Sequence, residues 1–445
     1  MTERLLDGLM STEPLAEALS DSAVIAAMLA FETALARAEA RLGVIPAAAA
    51  AAIAGAADPA AFDAAAIARD ARTSGTIAIP LVDMLRDRVR ATDPAGATFV
   101  HWGATSQDVS DTGLVLCLVR VRAIVAADHA RLADALRDLS NAHAGTVMLA
   151  RTLLQPAPPT TFGLKAAGWF AAVTRSGARM MAAFDDACVL QFGGASGTLA
   201  ALGTHGPAVA TELARDLGLP DPGAPWHAHR DRLAALVAAC GIYTGTVGKI
   251  ARDVSLLMQS EVAEAAEPGG GSSSMPHKRN PAHCALVLAA ATRVPGLVSA
   301  FLSGLPQEHE RGLGGWQAEA STVSAVMQTT GAALSSTAGL IEQLTVDRDR
   351  MRVNINATGG VVFAERAMAL LAPTLGRDKA NRVIAEAIKS ARREPDGFAK
   401  ALAANEDVRA AVSPADLASL TTAEAYLGAA EHFRRRLIGP DKSEL

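Results

Sequence analysis

Aromatic side chains make up only 4% of the 445 residues, and two are tyrosines. The core must then be filled by Ala, Leu, Val and Ile. Ala is the best helix former and aromatics favour strands, so this balance predicts an all-α fold. Cysteine is equally scarce. Cys117, Cys188, Cys240 and Cys284 stand far apart without a CxxC pair, which argues against a zinc site or disulfide framework and fits a reducing, cytoplasmic compartment. No His/Asp/Glu group has metal-ligand spacing, so neither a metal nor a cofactor is expected. The sequence has no basic tract and a formal charge of −5, so nucleic acid is not an expected partner. No run approaches the roughly 20 uninterrupted apolar residues that cross a bilayer. The first dozen residues carry Glu3 and Asp7 and do not read as a secretory leader, so no membrane is expected either.

Half of the residues are apolar, enough for a large core, and the length is consistent with about three domains. Ala23 to Leu42 reads as an amphipathic helix ending at Gly43 and Pro46, followed by a plain helix over the Ala47–Ala52 run. From Leu233 to Glu267 there is no proline. There, Leu236, Cys240, Tyr243, Val247, Ile250, Val254 and Leu257 alternate in 4-3 spacing, a heptad seam that predicts a long helix packed beside others. Gly241, Gly245 and Gly248 would allow close helix approach. The seam requires neighbours and predicts an oligomer built on long helices. No strand-period run bounded by hairpin turns stands out. The expected division is an N-terminal helical domain over 1–112, a long-helix domain over 113–350 and a small helical domain over 351–445.

The segment Glu267-Pro-Gly-Gly-Gly-Ser-Ser-Ser-Met-Pro-His-Lys-Arg-Asn-Pro281 interrupts two helical stretches with three glycines, three serines and two prolines. It places His277, Lys278 and Arg279 beside backbone amides and hydroxyls, a composition that can close over an anion and exclude water. Ordering Gly269 to Ser274 without a ligand would be entropically costly, so that stretch is expected to be mobile. It is not a Walker loop.

The GSSSMPHKRNP string resembles the signature of the fumarase/aspartase superfamily. His101-Trp-Gly-Ala-Thr-Ser-Gln-Asp108 with Asp111-Thr112 resembles its first box, in the form seen in adenylosuccinate lyases. Arg151-Thr-Leu-Leu-Gln-Pro-Ala157 resembles its second, usually R-T-H-x-Q-x-A. The resemblance implies a mostly helical three-domain chain and a homotetramer on a central long-helix bundle, each site drawing on three subunits. It gives Ser272 and Lys278 the catalytic roles: Lys278 can bind or stabilise the developing dianion, and either of the two carries the carbon proton. Ser273 and Ser274 read as loop polarity. His101, Thr105, Ser106 and Gln155 match substrate-binding positions, Asn280 reads either as a substrate carboxylate contact or as a cap of the next helix, and Arg311 is the best cation for gripping a carboxylate bidentately.

Two departures narrow the choice. Lyases of the superfamily pair a second-box His with a Glu seven residues after the signature lysine; here those positions are Leu153 and Ala285. Without that pair, a poor leaving group lacks its acid. The 3-carboxy-cis,cis-muconate cycloisomerase branch has little need of one, because the group that adds is the substrate's own carboxylate, ionised at pH 7. Further segments resemble that branch: Phe31 to Ala40 with Gly43–Pro46, Gln191 to Thr198, Pro225 to Asp231, and Glu308 to Gln317. The implied activity is lactonisation of a small tricarboxylate in aromatic catabolism, the alternative a C–N lyase of the adenylosuccinate type. Leu153 is then expected in an apolar wall of the site.

Overall fold

The computed structural model describes residues 5–271, 275, 278–391 and 397–439. Six helices and one hairpin organise the site: α1 (Asp21–Arg41), α2 (Ser106–Ala142), the hairpin β1 (Val147–Thr152) and β2 (Gln155–Thr161), α3 (Phe162–Ala187), α4 (Asp231–Leu257), α5 (Ala282–Ser303) and α6 (Gly315–Glu342). At 1.5 Å per residue the 37-residue α2 is about 55 Å long. The fold is all-α, as the composition predicts, with the hairpin and a two-residue strand pair, Ala265–Ala266 with Thr345–Val346, as its β-structure among the described residues.

Contacts divide the chain into two compact units, residues 1–130, 175–248 and 286–336, and residues 131–174, 249–285 and 337–445. In the first, α1 starts at Ser20, whose Oγ accepts from the Ala23 N–H at 3.2 Å. It buries Ile25, Met28, Phe31 and Leu35 against Ile53, Leu81, Leu85, Phe192 and Leu213. Around α4, the Tyr243 hydroxyl meets His129 of α2 at 2.6 Å, Thr246 meets Ser176 of α3 at 3.0 Å, and Thr244 meets Thr330 of α6 at 3.1 Å. A Cβ at Gly241 would lie 2.9 Å from Val298 and one at Gly248 2.7 Å from Ala291, so both glycines bring α5 close; Gly245 faces no such neighbour.

The seam residues Leu236, Cys240, Tyr243, Val247, Ile250, Val254 and Leu257 are all buried by the chain's own side chains. The helix stops at Leu257 rather than Glu267, because the chain turns back: the Glu264 N–H reaches the Leu257 carbonyl at 2.9 Å, with Ala263 in the left-handed region. α4 and α5 are long and apolar enough to cross a membrane by length and composition; in α5 only 22% of the most apolar stretch is buried within the chain.

In the second unit, Val147 and Leu149 of the hairpin pack with Ile355, Phe363 and Ala423, and a separate cluster joins Leu371, Ile384, Phe398 and Leu402. The hairpin is a correction to the sequence reading. Its two turn residues, Leu153 and Leu154, both have positive φ, 51° and 64°. That is the geometry of a two-residue hairpin turn, which usually takes Asn-Gly. β2 contains Pro156, Pro158 and Pro159, tolerated because a two-stranded ribbon leaves an outer edge that needs no N–H.

The boundary expected after residue 112 falls inside α2, and the one expected after 350 falls inside the helix Arg348–Asn356.

Candidate active site

In the first unit, five of the segments noted in the sequence converge on the first turns of α2. Thr105 precedes the helix, and Asp108 accepts from its N–H at 2.9 Å, tying down one of the unpaired donors that open any helix. The same carboxylate accepts from the N–H groups of Gly193 (3.0 Å) and Gly194 (2.9 Å) and from Nε2 of buried His227 (2.6 Å). Asp108 is thus fully engaged in holding the 191–198 and 225–231 segments. Gly193 has to be glycine, since a Cβ there would lie 2.5 Å from Pro225.

Arg311 lies across this helix start. Its Nη1 donates to Thr105 Oγ1 (2.7 Å), its Nη2 to Ser106 Oγ (3.1 Å) and its Nε to Gln107 Oε1 (3.2 Å). All three partners are neutral, and among the described residues no carboxylate pairs with it. A half-buried guanidinium with two hydroxyls at a helix N-terminus, where the dipole also favours negative charge, is a carboxylate-binding arrangement. The structure therefore brings together Thr105, Ser106 and Arg311. His101 belongs to the same box. Its φ is +63°, and its Nδ1 lies 2.6 Å from Glu32 of α1.

A buried salt-bridge network supports the cradle. Arg230 is completely enclosed and forks to both oxygens of Asp111 (2.7 and 3.0 Å) and to Glu319 (2.6 and 2.8 Å), with its guanidinium 4.6 Å from the Trp226 ring. Trp316 Nε1 donates to Asp111 at 3.0 Å, and Gln307 Nε2 to Glu319 at 2.7 Å. Residues on both sides of Arg311 are therefore anchored. Burial pushes the Glu319 carboxyl above its ordinary range despite Arg230, while the two carboxylates outweigh burial and hold Arg230 more firmly protonated. Glu32, Asp108, Asp111, Arg230 and Glu319 were not singled out as site residues from the sequence. All but Glu319 lie in segments already noted for their resemblance, but their roles were hidden because each finds its partner between about 70 and 120 positions away.

In the second unit, Lys278 is exposed, and its backbone N–H donates to Met275 O at 3.0 Å. It lines a cleft of about 1040 Å³ with Arg279, Arg348, Ser260 and Met258. Asn280 closes the base of the signature loop by exchanging both backbone hydrogen bonds with Gly270, each 3.0 Å, and its Nδ2 reaches Gly271 O at 3.4 Å. It does not cap α5 with its side chain. Ser272, Ser273, Ser274 and His277 lie outside the described residues, and with them half of the stretch expected to be mobile. Gln155 is exposed at the start of β2, opposite Thr152. Arg151 of the second box is a brace, forking onto fully buried Glu264 at 2.8 and 2.7 Å, with Asn354 on the same carboxylate. Leu153 is 96% exposed at the hairpin tip, not in a wall, because the left-handed turn projects it away from the ribbon. Ala285 is exposed as well. Both positions of the lyases' His–Glu pair are therefore apolar and open.

The first of two family models that match, described as "Lyase", covers residues 10–296; the second, "Adenylosuccinate lyase C-terminus", covers 360–437. A 3-carboxy-cis,cis-muconate cycloisomerase of Bradyrhizobium diazoefficiens is 45% identical over 438 residues, 98% of this chain and 97% of that one. A nitrosuccinate lyase of Streptomyces davaonensis is 40% identical over 99% of this chain and 95% of its own. The crystal structure of the 3-carboxy-cis,cis-muconate lactonizing enzyme from Pseudomonas putida superposes with a TM-score of 0.92 at 42% identity, covering 98% of each chain. Box, signature loop, helical architecture and near-full-length similarity agree, and the chain belongs to the lyase family of the fumarase/aspartase superfamily.

Proposed function

We propose that this chain is a 3-carboxy-cis,cis-muconate cycloisomerase, forming 4-carboxymuconolactone by intramolecular addition of a carboxylate across a double bond. The observation that carries the reading is the replacement of the lyases' His–Glu pair by Leu153 and Ala285. General acid help is typically worth 10²–10⁴-fold where a poor leaving group must depart. A carboxylate is ionised at pH 7 and needs none. As its oxygen bonds to carbon, the double-bond pair moves onto the carbon beside a second carboxylate, giving an enediolate-like dianion that is then protonated on carbon. Lys278 stabilises that charge, and Ser272 or Lys278 carries the proton. Arg311, Thr105 and Ser106 hold one carboxylate, with His101, Gln155 and Asn280 as further contacts. Because the protein is net negative, these local cations are what draw in a trianionic substrate.

The test is the ultraviolet change on adding purified protein to 3-carboxy-cis,cis-muconate, beside nitrosuccinate, adenylosuccinate, and fumarate with ammonia. Turnover of the muconate above the others is expected. Release of fumarate from adenylosuccinate as the main activity would replace this reading with the C–N lyase alternative.

The assembly we propose is a homotetramer with sites shared between subunits. Support comes from α5, whose Ala285, Ala289, Ala300 and Leu302 are left exposed, rather than from the α4 seam, which its own chain already covers. Static light scattering at micromolar concentration should give four times the 45.7 kDa chain mass; a monomer would overturn the assembly. The three-part division at 112 and 350 is kept as part of this reading, since a domain can begin within a helix. The cytoplasm is the proposed compartment, in keeping with four buried, unpaired cysteines.

A further inference from the structure

α1 carries two glutamates, Glu32 and Glu39, spaced seven residues apart on the face it turns inward, and both are almost completely buried. A buried carboxyl without a partner is costly. Glu39 has no hydrogen-bond partner for either oxygen among the described residues, and burial, with Glu32 next to it, pushes it up to about 9, so it is a neutral acid at pH 7. Glu32 differs. One oxygen lies 2.6 Å from His101 Nδ1, and the other is buried with no partner among the described residues. The imidazole is not sealed in: its side chain keeps 15% exposure, and Nε2 makes no hydrogen bond among the described residues. His101 also sits at φ +63°, an uncommon conformation that persists only where the surroundings over-determine it.

We propose that Glu32 is a positioning residue: by holding Nδ1–H of His101 it fixes the ring so that Nε2–H is offered as a cationic donor to a substrate carboxylate, within the box that supplies Thr105 and Ser106. This rests on the cycloisomerase reading and deepens it. The charged groups acting on the ring come from three elements. Burial alone would pull the imidazole down; Glu32 of α1 and, more weakly, Asp108 of α2 outweigh it, and Arg86 of the helix Ala78–Thr92 opposes them, leaving it raised. Behind Glu32, neutral Glu39 adds no competing charge. Glu32 thus holds the His101 imidazole above the ordinary histidine range, against the pull of burial.

The experiment compares the parent with Glu32→Gln and Glu32→Asp. Glu32→Gln keeps the shape and a hydrogen-bonding group but removes the charge. The His101 protonation equilibrium is read without substrate by ¹⁵N resonances of labelled histidine, assigned by the signal missing in His101→Gln, and kcat/KM for the muconate is measured from pH 6 to 9. In Glu32→Gln the His101 midpoint should move to lower pH, and kcat/KM should fall about tenfold per unit of that shift on the alkaline side and least near pH 6. Glu32→Asp should recover part of both. Unchanged titration and an unchanged pH profile in Glu32→Gln would overturn the proposal. So would a uniform, pH-independent loss of activity, the mark of a merely structural role. If the parent does not turn over the muconate at all, the cycloisomerase reading fails, while the ¹⁵N titration still decides whether Glu32 controls His101.

Discussion

Arg230→Met is expected to destabilise the protein by about 3–5 kcal/mol, the range found when one partner of a buried ion pair is removed. Arg230 is enclosed between Asp111 and Glu319 and donates to both. Methionine fills a similar volume but leaves two buried carboxyls facing each other, with Trp316, Gln107, Gln191 and Gln307 as donors to them. Lysine should recover little, because an ammonium cannot fork to two carboxylates as a guanidinium does. The loss should depend on pH in a defined direction. A buried carboxyl with a raised pKa binds more protons folded than unfolded, so stability falls as pH rises through the carboxyl's range. Glu319 is already raised in the parent, and losing Arg230 raises it further. The deficit should thus be larger at pH 8 than at pH 5, measured from urea midpoints at matched m-values. An Arg230→Met midpoint equal to the parent's at pH 8 would show that the network contributes nothing to stability.

Lys278→Ala is expected to lower kcat by about 10²–10³-fold, the usual loss for one group that stabilises charge arising in the transition state. Here the fold should be untouched. Lys278 is exposed, its side chain forms no ion pair among the described residues, and its backbone hydrogen bond to Met275 is one that alanine keeps. The pairing of the two variants separates architecture from chemistry: Arg230→Met moves the unfolding midpoint, whereas Lys278→Ala leaves the midpoint alone and moves kcat. Lys278→Arg should retain part of the rate, since charge survives but its position does not. A Lys278→Ala enzyme within a few-fold of the parent would remove the lysine from the reaction.

Much of what is local in this molecule could be read from the sequence. Helix α1, the Ala47–Ala56 helix and the buried face of α4 follow from composition and periodicity, because 3.6-residue spacing and alanine content act within a few turns. The first box and Arg311 were visible as patterns, and the structure joins them through three hydrogen bonds. The acids and bases that hold them were not. Glu32 sits in an alanine-rich helix and looks like a solvated charge until His101 is found against it. Asp111 and Glu319 acquire meaning through Arg230, and pairings over such separations leave no periodic trace. The hairpin escaped for the opposite reason. Its turn uses two leucines where asparagine and glycine are usual, and its second strand carries three prolines, so each local rule argued against it.

That turn has an evolutionary consequence. A leucine at positive φ is strained, while histidine is among the residues found there more readily, and Leu153 has almost no neighbours to lose. Folding therefore sets no barrier to a histidine at this position. Leucine and histidine codons can differ by a single base, as can those of alanine and glutamate at position 285. The lyase pair is thus close in mutational distance, and packing within the chain bars neither exchange.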